Sequence, residues 1–436
     1  MFYGSKVKLI YTILYTIGFI ALSPAFVYKM WKRGKYRENF FQRFGRYVPE
    51  MFRRLADKQE QRCWIQAVSV GEVNLAFPFI AALRKQFPQL RIILTTTTST
   101  GYALAKQRLP KEIELLYFPQ DFPFAVRRAY NLIQPDFIVL MESELWPNHI
   151  WEAARRNVPV FLVNARMSPR SAARHKKYRW PFCHIWPCLQ LVCVQSQPDF
   201  ENYLAAGVAR ERLHLTGNIK YDASLPQAGQ HPFDPAQVLR DLGVAANRSV
   251  LVGGSTWPGE EEILFDILKK IPELFLVLVP RHVERTPEIV ELAKRKNIKL
   301  ALRKTDTPTP NPDCLLVNTT GELKWFYEPA TIIFVGKSLA GNFGGQNIVE
   351  AAASGHPVLF GARMDNFKEI SRQFVEAGAC VQVADAADLS RAVEELLRNA
   401  PRRDKIAVAA REVIASNAGA TQRTVELIAS ALSGKK

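Results

Sequence analysis

Short runs of apolar residues recur along the chain, separated by stretches in which an apolar residue returns every three or four positions. In the first half the runs fall at 63–69, 91–96, 114–117, 137–141, 159–163 and 191–194. Their length and composition predict buried strands, and the segments between them, such as 75–86, 101–108 and 122–133, carry the period of amphipathic helices. Strands that alternate with helices imply βαβ units and a parallel sheet. The pattern breaks around 217–248, where "SLPQAGQHPFDP" reads as a linker. A second alternation then predicts strands at 249–253, 275–279, 298–301, 314–317, 331–335 and 357–359. Helices at 259–270, 285–296, 346–354, 367–377 and 387–399 fit between them. The expectation is an α/β protein with two doubly wound domains in tandem. Ligands of such sheets bind at the carboxyl ends of the strands, here in a cleft between the two sheet edges.

The N-terminus follows a different pattern. "LIYTILYTIGFIALSPAFVY", residues 9–28, holds twenty residues without a charge, enough to cross a hydrocarbon core as a helix. Lys29, Lys32, Arg33, Lys35 and Arg37 follow, against Lys6 and Lys8 before it, and the heavier positive flank should stay inside. A cleaved signal peptide fits less well, because the apolar stretch is long and the residues after Ala25 are strongly basic. A span or a deep interfacial anchor is expected, with Pro24 a point for a kink. The rest of the composition adds one constraint: a formal charge of +17 over 436 residues calls for an acidic partner. Nucleic acid, anionic lipid and phosphorylated small molecules all qualify. The six cysteines form no CxxC pair and show no metal spacing, so reduced thiols are expected.

Four strand ends carry polar residues that folding does not require. "SVGEVN" puts Glu72 where a buried strand gives way to a helix, and "MESELWPN" puts Glu142 and Glu144 at the end of another. Acids in a first helical turn also suit the helix dipole, so capping is the plain alternative for both. "LVGGSTWPGEEEIL" ends a strand in Gly253 and Gly254 and sets Ser255 and Thr256 before a helix. Glycines there would let N–H groups approach an anion, though GGST is also a good cap. "FVGKSLAGNFGGQNIVEAAASGHPVLF" has Gly344 and Gly345 just before a helix with Asn347 and Glu350, an arrangement suited to phosphate and ribose. It is not GxGxxG, so hydride transfer lacks its fingerprint. Arg281 and His282 end a further strand, and an arginine offers phosphate a planar two-pronged donor. Finally, "NARMSPRSAARHKKYRWPFCHIW" carries Arg166, Arg170, Arg174, Lys176, Lys177 and Arg179 with Trp180, Phe182 and Trp186, and no acid. Such a mixture suits an anionic headgroup surface or single-stranded nucleic acid, and the N-terminal anchor favours lipid.

Taken in order, "AVSVGEVN", "ESELWPN", "VNARMS", "GNIKYD", "GGSTWPGEEE", "PRH" and "GGQNIVEAAASGHPV" resemble the Kdo (3-deoxy-D-manno-octulosonic acid) transferases of lipopolysaccharide assembly. The pieces spread from residue 67 to 358, and "RENFFQRFGRY" after the anchor is similar to that family too. The resemblance implies a GT-B glycosyltransferase fold of two Rossmann-like domains. It implies CMP-Kdo as donor, a lipid A precursor (lipid IV-A) as acceptor, the cytoplasmic face of the inner membrane, and no metal, resident cofactor or nucleic acid. Glu72 falls on the family's general base, for an inverting displacement as CMP departs. On the acceptor side the resemblance places Glu142 or Glu144, with Arg166, Arg174, Lys176 and Lys177. On the donor side it places Lys220, Ser255, Thr256, Arg281, His282, Gly344, Gly345, Asn347 and Glu350, with Glu350 on ribose hydroxyls and Lys220 meeting the Kdo carboxylate. The domains expected are 1–38 (anchor and basic flank), 39–217 (acceptor), 218–248 (linker), 249–415 (donor) and 416–436, a helix packing back on the acceptor domain. Gln346 departs from the family where some relatives have His. Two rivals stand beside this reading: a GT-B enzyme using a nucleotide-diphosphate sugar, and a membrane-tethered binding protein in which Glu72 only caps a helix. The helix N-terminus and desolvation pull the Glu72 carboxyl in opposite directions, and Pro78 puts the regularity of its first turn in question.

Overall fold

The computed structural model of the chain describes residues 4–33, 39–178, 182–224, 232–305 and 309–434. Lys35, Arg37, Arg179, Trp180 and the linker residues 225–231 lie outside the described residues. Two units divide the chain, Met1–Ala223 with Ala418–Lys436, and Ser224–Asn417. Each is built on a seven-stranded parallel sheet. A parallel sheet is covered by helices on both faces, so its strands are unbroken apolar runs rather than alternating ones.

In the first unit α1 (Gly4–Arg33) and α2 (Pro49–Ala56) precede β1 (Arg62–Gln66), α3 (Val70–Gln86), β2 (Arg91–Thr96), α4 (Ser99–Arg108) and β3 (Glu114–Tyr117). Next come α5 (Pro123–Ile133), β4 (Phe137–Met141), α6 (Pro147–Arg155), β5 (Val160–Ala165) and α7 (Pro169–Lys177). β6 (Leu191–Val194), α8 (Gln197–Ala205), β7 (Leu213–Leu215) and α9 (Ile219–Ser224) complete the series. The sheet runs β3-β2-β1-β4-β5-β6-β7. Successive strand residues point to opposite faces. Trp64, Ile138, Leu140 and Leu162 enter one buried cluster with α5 and α6, while Cys63, Ile65, Val139 and Phe161 enter another with α3.

In the second unit α10 (Pro235–Asp241) leads to β8 (Val250–Thr256), α11 (Glu260–Lys270), β9 (Phe275–Pro280), α12 (Thr286–Arg295), β10 (Leu300–Leu302) and β11 (Cys314–Leu316). α13 (Leu323–Phe326), β12 (Ile332–Val335), α14 (Val349–Ala353), β13 (Val358–Gly361), α15 (Lys368–Glu376), β14 (Val381–Val383), α16 (Ala386–Arg398) and α17 (Ala400–Asn417) follow. Its order is β10-β11-β9-β8-β12-β13-β14. The chain then returns to the first unit as α18 (Ala420–Ser433). Ala420, Val425 and Ile428 join the cluster that holds Leu75, Phe79 and Leu83 of α3. Asp222 caps this helix from a distant segment, accepting from the Gly419 N–H at 2.7 Å and the Thr421 N–H at 2.6 Å. Those are amides that a helix start leaves without partners of its own.

Three features differ from the sequence expectation. α3 begins at Val70 and runs through Pro78 without interruption. A proline removes one ladder hydrogen bond, and packing on both sides of it holds the helix. α9 and α10 occupy parts of the expected linker, and the two edge strands β7 and β14 were not foreseen. None of the six cysteines takes part in a disulfide.

Candidate active site

Strand order reverses between β1 and β4 in the first sheet, and between β8 and β12 in the second. Doubly wound sheets bind ligands at such switch points, beyond the carboxyl ends of the strands. Glu72 follows β1, and Glu142 and Glu144 follow β4. Ser69 caps α3 as the first member of a Ser-x-x-Glu box. Its hydroxyl donates to Glu72 Oε1 at 3.0 Å, and the Val68 N–H donates to Oε2 at 2.8 Å. The carboxyl is therefore held in one place by the turn that begins the helix. It is only 8% exposed. Burial pushes it up to about 7; the Val68 amide pulls down, the charges of Glu144 and Glu142 push up, and the Ser69 hydroxyl pulls down. Capping and base chemistry are thus not alternatives here, because the cap is what positions the group.

Glu142 has φ +56°, in the left-handed region. Its carboxylate lies 3.4 Å from Arg166 Nε and 3.2 Å from Lys220 Nζ. Lys220 belongs to α9 of the first unit, so its ammonium sits beside the acidic cluster. Glu144 instead accepts from the Trp146 indole N–H at 2.8 Å, and burial raises its pKa. The two glutamates are therefore distinct: one is ion-paired and one is held by an aromatic donor. Arg174, Lys176 and Lys177 are exposed along α7, which Ser168 caps.

In the second unit the glycines do other work than sequence reasoning assigned. A Cβ at Gly254 would lie 2.5 Å from the Tyr327 hydroxyl, and one at Gly253 would lie 2.6 Å from Leu264. Both are small because side chains from the covering helix α11 and from the end of α13 pack against them. Ser255, with φ +53°, and the buried Thr256 end β8 and do not cap α11; Gly259 does. The Gly344 N–H donates to the Arg363 carbonyl at 3.0 Å and the Gly345 N–H to the Lys337 carbonyl at 3.0 Å. These two amides are spent on the loop's own fold and do not face a phosphate. α14 starts only at Val349, whose N–H is taken by the Asn347 side chain at 3.1 Å. Asn347 Nδ2 donates to Ser224 at 3.0 Å. Glu350 lies close enough to the buried Tyr327 that, after burial, its charge is what raises that hydroxyl's pKa.

The cations at this edge are better placed. The Arg281 backbone N–H donates to the Thr256 carbonyl at 3.1 Å while its side chain is exposed. His282 meets the Trp257 ring edge-on at 5.2 Å. Lys337, which sequence reasoning missed, lies in the loop after β12 with φ +62° and sets its ammonium 4.8 Å from the centre of the same ring. A lysine directly after the apolar run "TIIFVG" was the available signal. Glu260 was also missed. Its carboxylate accepts from four backbone N–H groups, those of Trp257, Lys337, Ser338 and Leu339, at 2.8 to 3.0 Å. It fixes the loop that carries Lys337.

Residues 38–223 match the family model for 3-deoxy-D-manno-octulosonic-acid transferase (kdotransferase), and residues 311–413 match that for glycosyl transferases group 1. A 3-deoxy-D-manno-octulosonic acid transferase of Haemophilus influenzae is 35% identical over 403 residues, 91% of this chain and 92% of that one. The chain belongs to the Kdo transferases. A second such transferase, from Bordetella pertussis, is 30% identical over 95% of this chain and 98% of its own. The C-terminal CMP-Kdo binding domain of WaaA from Acinetobacter baumannii is 27% identical, covering 41% of this chain and 95% of that domain, with a TM-score of 0.38. A UDP-GlcNAc 2-epimerase from Neisseria meningitidis, bound to UDP-GlcNAc, is 14% identical with a TM-score of 0.59, over 85% of this chain and 99% of that one. That likeness is one of fold. This Kdo transferase therefore has the two-sheet α/β architecture of GT-B enzymes and is a glycosyltransferase of lipopolysaccharide synthesis.

Proposed function

We propose that the chain moves Kdo from CMP-Kdo to a hydroxyl of the lipid A precursor lipid IV-A, with inversion and with Glu72 as general base. The observation that carries this is the Glu72 carboxyl itself: buried at a switch point, fixed by its own helix cap, and raised to about 7. A sugar hydroxyl is a poor nucleophile until its proton is taken, and a base serves best when its pKa lies near the working pH. The acceptor oxygen then bonds to the anomeric carbon of Kdo, and the bond to the CMP phosphate oxygen breaks, its electron pair leaving with CMP. Arg281 and Lys337 supply positive charge to the departing phosphate, and Glu350 takes ribose hydroxyls. Glu142, with Arg166, supports the acceptor side, and Lys220, ion-paired to Glu142, is the cation that meets the Kdo carboxylate of the donor. The scheme calls on side-chain cations and on no metal or resident cofactor. Support for Kdo as the transferred sugar comes from the family.

The test is a purified full-length reaction with CMP-Kdo and lipid IV-A, read as CMP release and product mass. CMP release together with a product heavier by one or more Kdo units is expected. Intact CMP-Kdo alongside consumption of a UDP-sugar would select the first rival, and no nucleotide release at all would select the binding protein.

We place the enzyme at the cytoplasmic face of the inner membrane, held by α1, with α7 presenting Arg174, Lys176 and Lys177 to anionic headgroups. Each basic residue near such a surface is worth about 1 kcal/mol. Changing all three to Gln should lower the affinity for acceptor-bearing anionic vesicles by ~10–100-fold at low salt, and the gap should narrow as salt screens it. Equal binding at low and high salt removes the role.

A further inference from the structure

We infer that α1 lies along the membrane surface, docked by one face on its own domain, and does not cross the bilayer. This rests on the membrane placement proposed above and specifies its geometry. The apolar window Lys6–Pro24 is long enough to span. Length alone therefore does not decide the matter, but the contacts of the helix do.

One stripe of α1 is fastened to the first unit. Tyr11 donates to Asp121 Oδ2 at 2.7 Å. Tyr15 donates to the Gln120 side chain at 2.8 Å and accepts from the Asp121 N–H at 3.2 Å. Asn148 Nδ2 donates to the Thr12 hydroxyl at 3.3 Å. Tyr11 also stands edge-on to Trp151 at 5.7 Å, and Phe19 edge-on to Phe122 at 5.1 Å and to Phe44 at 6.2 Å. Val7 is buried at the start of the stripe. Positions 7, 11, 15 and 19 recur every four residues, so they share one face of a helix. The receiving side is equally specific. Asp121 is fully buried and also accepts from the first-turn N–H groups of α6, those of Asn148 and His149, at 3.1 Å each. One carboxyl thus joins α1 to the start of α6.

This fastening limits the path of the helix. Val7 to Phe19 covers about 18 Å at the rise of an α-helix, all of it against the domain. From Ile20 to Tyr28 only nine uncharged residues remain, about 13 Å of helix, and a hydrocarbon core is ~30 Å thick. If α1 crossed, Gln120, Asp121 and Asn148 would have to enter the core with it, together with loop backbone that hydrocarbon does not tolerate. The opposite face fits a surface role. Leu9, Ile10, Ile13, Leu14, Ile17 and Ile20 are all exposed, Leu14 to 63% and Ile20 to 64%. Beside the dock, Phe41 and Phe124 are exposed as well, next to Phe40 and Phe122. A helix with one apolar face in the acyl boundary and its other face occupied is an interfacial anchor. The occupant of the exposed face is therefore the leaflet that also holds the lipid acceptor. Basic residues at both ends of α1 suit this, because both ends then lie at headgroup level.

The experiment is thiol sidedness in the full-length chain. Ser5→Cys is introduced, and inverted and right-side-out membrane vesicles are treated with an impermeant maleimide. Labelling is read on separate peptides at position 5 and at the native, exposed Cys183. Surface docking is expected to label both positions in inverted vesicles and neither in right-side-out ones. Labelling of position 5 from the side opposite to Cys183 would overturn the inference while leaving membrane attachment intact. Loss of the position 5 peptide from the mature chain would overturn it too. Recovery of the protein in the soluble fraction would overturn the membrane placement itself.

Discussion

Glu72→Gln is expected to lower kcat by ~10²–10⁴-fold, the usual contribution of a positioned base, and at the same time to make the folded protein more stable above neutral pH. The second half follows from the direction of the shift. The carboxyl titrates at about 7 in the folded chain against an ordinary value of 4.5. Between those values the folded state holds a proton that the unfolded state has released. Stability from this group is therefore present below 4.5, falls as pH rises to about 7, and stays lost above it. At 1.36 kcal/mol per pKa unit the loss is about 3 kcal/mol. Glutamine never ionises and escapes it. It gives up one acceptor of the helix cap, which costs about 0.5–2 kcal/mol, so a net gain of ~1–2 kcal/mol remains at pH 8. Thermal unfolding at pH 5 and pH 8 checks this: the variant should gain on the parent only at the higher pH. The pH–rate profile of the parent should rise through about 7 and then level, while that of the variant stays flat. Turnover within a few-fold of the parent would remove Glu72 from the chemistry.

The second large effect is expected at Glu260, which is fully buried. Its Oε1 accepts from Ser338 and Leu339 at 2.8 and 3.0 Å, and its Oε2 from Lys337 and Trp257 at 2.8 and 2.9 Å. Gly336 makes room for it, since a Cβ there would lie 2.6 Å from Oε2. Glu260→Ala leaves four amides without an acceptor. A buried unsatisfied group costs about 1–3 kcal/mol, and water entering the gap recovers part of that, so a loss of about 4–6 kcal/mol is expected. Glu260→Gln keeps the volume but turns an NH₂ group toward N–H donors, and should fall between parent and Ala. In folded Glu260→Gln, KM for CMP-Kdo should rise more than kcat falls, because the loop carrying Lys337 loosens while Glu72 in the other unit is untouched. Denaturant unfolding of the series, with steady-state kinetics, checks both points. An unchanged midpoint for Glu260→Ala would show that the amides find other partners.

What could be read in advance follows from these same distances. The central strands were legible because burial on both faces forces an unbroken apolar run. β7 and β14 were not, since each has only three residues at a sheet edge and is partly exposed. Glu72 stood out as a lone acid at a strand end, and its own cap, three residues away, was local enough to consider. Glu260 hid as one of three acids in a first helical turn, because three of its partners lie 77 to 79 residues further on. Gly344 and Gly345 were misread for a related reason: a glycine pair signals an unusual backbone, and only the fold shows whether its amides face inward or outward. The tyrosines of α1 gave no signal in the sequence, because their partners Asp121 and Gln120 lie 110 and 105 residues further on.

The return of α18 to the first unit has a consequence for synthesis. The unit holding Glu72 is made of two separate segments, Met1–Ala223 and Ala418–Lys436, while Ser224–Asn417 is continuous. As the ribosome delivers residues in order, the continuous unit has its whole sequence first. The apolar face of α3 that Val425 and Ile428 cover must wait for the segment after Asn417. Maturation of the glutamate-bearing half is thus tied to delivery of the α18 segment, and a ribosome stalled before residue 420 leaves that half open to aggregation or proteolysis.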